Sequence, residues 1–151
     1  MKASFAVIFT GFTFASAIVP HEAYFALPPT TKNFGKFDWA SISSTQDLTY
    51  ERCYEEFECG RLTVPLDWNN QSSPHNVSLA IVRLPAKVSE SHPDHGGTII
   101  TNPGGPGGSG VQQILQISHR LQNLLDGPKF YEILSFDPRG IFHSKDRKSV
   151  V

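Results

Sequence analysis

The chain has 151 residues, 39% hydrophobic and 18% charged, with a formal charge of −1. That is enough apolar material for one packed domain, or part of one, and it excludes a disordered segment. No basic excess draws it to nucleic acid, and two cysteines exclude both a disulfide-dense miniprotein and a four-cysteine zinc site.

Met1-Lys2 opens with a positive charge, and residues 3–17 are apolar or small, ending in Ala15-Ser16-Ala17. This is the layout of a signal peptide, residues 1–17, cleaved after Ala17. The expected location is therefore extracellular, with no membrane attachment once the leader is removed. A proline-containing linker covers residues 18–36. Asn70-Gln71-Ser72 and Asn76-Val77-Ser78 are glycosylation sequons, consistent with secretion. Cys53 and Cys59 lie six apart, a spacing that suits the two arms of a tight hairpin. In an oxidising compartment they are expected to pair; the alternative is two buried thiols.

Leu48 to Tyr54 and Phe57 to Val64 read as that hairpin, with Pro65 ending the second arm. Residues 67–75 form a polar loop. From Val77 to Leu84 both alternating faces are apolar, so this strand is expected to be buried on both sides. Residues 87–97 read as a charged, histidine-bearing loop, and 98–101 as a short strand. Next comes Asn102-Pro103-Gly104-Gly105-Pro106-Gly107-Gly108-Ser109-Gly110. From Val111 to Leu125, Ile114, Ile117, Leu121, Leu124 and Leu125 recur at helical intervals, and Gly127-Pro128 ends the helix. Tyr131 to Phe136 is a second buried strand, followed by Asp137-Pro138-Arg139-Gly140. The order predicts an α/β chain, an antiparallel hairpin edge leading into a parallel βαβ unit.

The glycine loop feeds a helix N-terminus, which collects backbone N–H groups and favours an anion. Three readings compete. Gly105 to Gly110 fits the G-x-G-x-x-G dinucleotide pattern. Against it, Pro103 and Pro106 lack the amides a pyrophosphate uses, and no acidic residue follows about 20 positions on. Ser109 could be a nucleophile, but position 111 is Val where the elbow motif needs glycine; a helix cap is the simpler role. The third reading is an oxyanion hole, in which the backbone itself approaches an acyl-transfer intermediate.

Residues 102–110, then Phe136-Asp137-Pro138-Arg139-Gly140, resemble the secreted tripeptidyl and prolyl aminopeptidase branch of the α/β-hydrolase fold. Trp39, Cys53 and Cys59-Gly60-Arg61-Leu62-Thr63-Val64-Pro65-Leu66-Asp67-Trp68 are similar too. The resemblance covers residues 37 to 141. It implies the N-terminal part of an α/β-hydrolase over 37–144, incomplete, with a divergent tail at 145–151. It implies a serine exopeptidase that cleaves peptides from the N-terminus through an acyl-enzyme, without metal or cofactor. By position, Gly104 and Gly105 match the oxyanion-hole glycines, and Asp137, Arg139 and Gly140 match a structural turn.

The chain departs from the family where Phe142 replaces the second glycine of that turn. The family's nucleophile, acid and histidine all lie downstream of the matched part, so no catalytic residue is assigned. The six histidines, His21, His75, His92, His95, His119 and His143, read as surface groups, since no serine in an elbow context is present to partner them. The chain on its own is therefore expected to be inactive, with peptide the substrate of the longer parent. The rival readings are a dinucleotide-binding module and a non-catalytic secreted fragment that binds a partner.

Overall fold

The computed structural model describes residues 35–70 and 74–144. The expected signal peptide, most of the linker, the 145–151 tail, His21 and the Gln71-Ser72 of the first sequon lie outside the described residues. Within them the architecture is one mixed five-stranded sheet with one α-helix. The strands are β1 (Glu51–Cys53), β2 (Phe57–Pro65), β3 (Asn76–Leu84), β4 (His95–Ile100) and β5 (Phe130–Phe136). The helix α1 (Gly110–Leu125) lies between β4 and β5. The sheet order is β1-β2-β3-β5-β4. Neighbours run antiparallel as far as β5, and only β4 and β5 are parallel. This is the antiparallel edge and βαβ unit expected, an open α/β sheet.

Pairing register explains why β3 is buried on both faces. Val82 stands opposite Cys59 and Ser135, and Leu84 opposite Ile133. These side chains meet Val111 and Ile114 of α1 in the main core. Ile81 and Val77 point the other way and are also buried. On that face Arg83 joins three carboxylates, Glu58 at 2.7 Å, Glu132 at 2.9 Å and Glu90 at 3.3 Å. Tyr50 lies under its guanidinium, 4.1 Å from the ring centre.

Two expected boundaries shift. The first arm of the hairpin shrinks to Glu51–Cys53. The strand expected at 98–101 begins earlier, at His95, because a bulge between His95 and Thr98 absorbs Gly96 and Gly97. A Cβ on Gly96 would lie 2.5 Å from the Tyr131 ring, so the strand passes there only as glycine. The inner face of α1 also differs. Val111, Ile114, Ser118 and Gln122 are its buried side chains, whereas Leu124 is 81% exposed. Gln122 takes the inner place because its side-chain amide nitrogen, Nε2, donates to the carbonyls of Pro85 (2.9 Å) and Tyr131 (2.8 Å). Hydrophobic spacing does not register that bridge.

The hairpin is closed covalently. Cys53 and Cys59 form a disulfide with Cα atoms 5.8 Å apart. Its three-residue turn holds Tyr54 at φ 46° and Glu55 at φ 71°, left-handed values that cost about 1–2 kcal/mol each for residues with a side chain. Tyr54 is anchored from outside, its hydroxyl accepting from the Trp39 indole at 2.9 Å. Trp39 sits in a short 3₁₀ turn, Trp39–Ser41, capped by Asp38.

Candidate functional site

The loop from Thr101 to Ser109 leaves the C-terminal end of β4 and enters α1. Ligands of open α/β sheets bind at such strand ends. Gly104 (φ 73°) and Gly107 (φ 84°) adopt left-handed backbone, and Gly105 has φ 155°. A Cβ on Gly105 would lie 2.6 Å from the Gly107 nitrogen, so the loop doubles back too tightly for a side chain. The Gly104 amide donates to the Asn102 side-chain oxygen at 3.1 Å. The amides of Gly105, Gly107 and Gly108 donate to no group among the described residues.

The helix N-terminus is already occupied by the protein's own carboxylate. Asp137 is fully buried. Its Oδ1 accepts from the Ser109 hydroxyl at 2.6 Å and from the Val111 amide at 3.2 Å, and its Oδ2 accepts from the His143 amide at 3.0 Å. The positive end of the α1 dipole therefore neutralises an internal anion. Ser109 Oγ accepts in turn from the Gln112 amide at 3.1 Å, the cap expected for it. A hydroxyl that donates to a carboxylate and caps a helix is not a free nucleophile. A second anion, such as a dinucleotide phosphate, would meet Asp137 at the spot where the motif would place it.

Gly110 makes this junction possible. A Cβ there would fall 2.2 Å from the Phe136 carbonyl and 2.3 Å from Ser135 Oγ. The glycine spacing that looked like a phosphate motif thus includes one residue needed for helix-on-strand contact.

The residues after β5 form a tight turn. The Asp137 amide donates to the Ala80 carbonyl, and Ser144 Oγ bridges the Ala80 amide and the Asp137 carbonyl. Arg139 reaches back to the carbonyls of Leu66 (2.8 Å) and Pro65 (3.0 Å), tying the turn to the end of β2. Gly140 has φ 74°. Phe142, where the resemblance expects glycine, still adopts φ 43°. The backbone keeps the conformation a glycine would supply, and the side chain bears the strain.

The described histidines do not gather around a serine. His143 stacks on Trp39 at 4.9 Å; burial lowers its pKa, nearby Asp137 opposes that, and Arg61 adds to it. His119 pairs with Glu56 at 2.8 Å. His92 and His95 each accept from a backbone amide two residues on. Among the described residues no group of three His, Cys, Asp or Glu side chains could hold a metal ion. No helix among them is long and apolar enough to cross a membrane. The Asp137–Ser109 contact escaped sequence reasoning; the signal available was a lone acid at the end of a buried strand.

No protein-family model matches the chain. Among curated proteins, the tripeptidyl aminopeptidase of Streptomyces lividans is 31% identical over 109 residues, which is 71% of this chain and 18% of that protein. Serine protease Hip1 of Mycobacterium tuberculosis is 33% identical over 87 residues, 58% of this chain and 15% of the relative. Carboxylesterase B of the same species is 31% identical over 103 residues, 68% and 17%. The chain thus matches about a sixth of the length of these curated relatives. The relatives are hydrolases, two of them peptidases by name, and over the stretch it shares with them this chain belongs, at family level, to the tripeptidyl aminopeptidase-like serine peptidases.

Proposed function

We propose that the protein is a secreted serine exopeptidase that releases short peptides from substrate N-termini through an acyl-enzyme. The observation that supports this reading is the 102–110 loop, where the Gly105 amide donates to no group among the described residues, at the mouth of a parallel strand end. Gly104 and Gly105 supply the oxyanion donors in this reading, with the Asn102 side chain releasing the Gly104 amide when substrate arrives. Two such donors act on charge that develops only in the transition state. Asp137 braces the end of the loop through Ser109, and Arg139 and Gly140 shape the turn that holds Asp137. The nucleophile, acid and histidine come from outside the described residues, so residues 37–144 act as scaffold and are inert alone. Residues 1–17 are the cleaved leader. Asn70 and Asn76, both exposed, carry the glycans.

Three measurements test this. The purified 151-residue chain is treated with a fluorophosphonate probe and its adducts are mapped. No label on Ser109 is expected; stoichiometric labelling abolished by Ser109→Ala would overturn the assignment. The protein recovered from the culture medium of its source cells should release short peptides from a free N-terminus and not from an acetylated one. Gly105→Ala should lower kcat by about 100-fold or more, the scale of losing one oxyanion donor. Cleavage of acetylated and free substrates at equal rates would refute the exopeptidase reading.

A further inference from the structure

A second site, unconnected with the glycine loop, lies at the other half of the sheet. A cavity of about 190 Å³ is lined by Ala40, Ile42, Ser44, Arg61 and Ser78. Its walls come from the segment after the 3₁₀ turn, from β2 and from β3. Arg61 is only 9% exposed. Its Nε donates to the Trp39 carbonyl at 2.8 Å and its Nη1 to Ser78 Oγ at 3.3 Å. The guanidinium carbon lies 5.9 Å from the Trp39 ring centre. Nη2 donates to no group among the described residues, and no carboxylate among them lies within ion-pair distance of Arg61.

A guanidinium stays charged in proteins, and a buried charge without a counter-charge is costly. Arg83 shows the usual solution in this same sheet, with three carboxylates around it. Arg61 has neutral partners only, with Asp38 acting on it from farther away. The cavity beside it has apolar walls at Ala40 and Ile42, and the other groups lining it can donate. Ser78 Oγ accepts from Arg61, so its own hydrogen is free to turn into the cavity. Ser44 shares a hydrogen bond with Thr63 at 2.6 Å, in which either hydroxyl can donate. If Thr63 donates, Ser44 has a hydrogen to offer as well. A pocket with one fixed cation and two hydroxyl donors selects an anion. A single positive charge, with Asp38 nearby, suits one negative charge better than two. At about 30 Å³ per water in the liquid, the volume admits a group of several heavy atoms.

We propose that this cavity binds a carboxylate, held by Arg61 Nη2 and the hydroxyls of Ser78 and Ser44. The assignment does not depend on the exopeptidase reading. Two sources share the chemistry, a free small carboxylate and the C-terminal carboxylate of a peptide.

The chain contains two tryptophans, and Trp39 lies against Arg61 whereas Trp68 is exposed. In a Trp68→Phe background the remaining indole reports on the site. Acetate, phosphate, an N-acetylated dipeptide acid and its amide are titrated at constant ionic strength in chloride, with fluorescence and unfolding midpoint recorded. A saturable response to a carboxylate, absent for the amide and for chloride, is expected. Tighter binding of the peptide acid than of acetate identifies a peptide end as the occupant; the reverse identifies a free small acid. Arg61→Gln should abolish the response. Because that variant also loses a donor to Trp39, Ala40→Phe provides the second arm. It fills the cavity from an exposed position, leaves Arg61 in place, and should also abolish binding. Ser78→Ala should weaken affinity about tenfold, the scale of one hydrogen bond to a charged group. No saturable response in the parent chain, an equal response to phosphate or chloride, or binding unaffected by Ala40→Phe would overturn the proposal.

Discussion

The two halves of the sheet reach order by different means. The β1–β3 half is held by side chains and a covalent link: the Cys53–Cys59 disulfide, the Trp39–Tyr54 hydrogen bond, and Arg61 beneath the 3₁₀ turn. The β4–α1–β5 half is held by close backbone approach. Gly96 lets β4 pass the Tyr131 ring, and Gly110 seats the helix on the Phe136 carbonyl. The first arrangement tolerates strained residues at Tyr54 and Glu55 because the disulfide limits where they can go. The second tolerates no added atom, because a Cβ would meet the rigid Tyr131 ring at Gly96 and the Phe136 carbonyl at Gly110. Asp137 joins the halves, since its carboxylate holds α1 while its amide bonds to Ala80 of β3.

The sharpest way to break this contrast is at that joint. Asp137→Ala leaves the Ser109 hydroxyl and the amides of Val111 and His143 without their acceptor. Removing an acceptor from buried donors costs about 1–3 kcal/mol for each donor left unpaired, so a loss of about 3–5 kcal/mol is expected. Chemical denaturation measures it, and amide exchange should rise in both halves. Exchange confined to α1 would show that Asp137 serves one half only.

Next in size is the disulfide. Changing Cys53 and Cys59 to serine together should cost about 2 kcal/mol, the entropy of closing so short a loop. Amide protection should fall in β1 and the start of β2 while β5 keeps its own. Equal loss across the sheet would mean that the two halves are not separately held.

The smallest effect sharpens the comparison by stabilising. Phe142 is 63% exposed and carries left-handed backbone. Phe142→Gly removes that strain, about 1–2 kcal/mol, and adds back about 0.5–1 kcal/mol of chain entropy in the unfolded state. A net gain of up to about 1 kcal/mol is expected, read as a rise in unfolding midpoint. A loss would show that the Phe142–His143 ring contact at 4.4 Å outweighs the backbone.

Local patterns in the chain determined a good deal. Alternation over Val77 to Leu84 marked the doubly buried strand, Gly127-Pro128 ended the helix, and the short cysteine spacing marked the hairpin. Ser109 was legible as a cap because capping is a local preference at a helix start. The tertiary structure decided what depends on distant partners. Gln122 turns inward because two carbonyls wait there, one just past β3 and one in β5, and Leu124 turns outward in consequence. The anion at the helix N-terminus is Asp137, 28 residues beyond Ser109, and no motif spans that gap. Arg61 reads in sequence as one letter among many before Val64-Pro65. Only packing Trp39 and Ser78 around it leaves one side of its charge facing a cavity. Backbone preference acts over a few residues and so is written locally; the satisfaction of a buried polar group is set by whatever the fold brings to it.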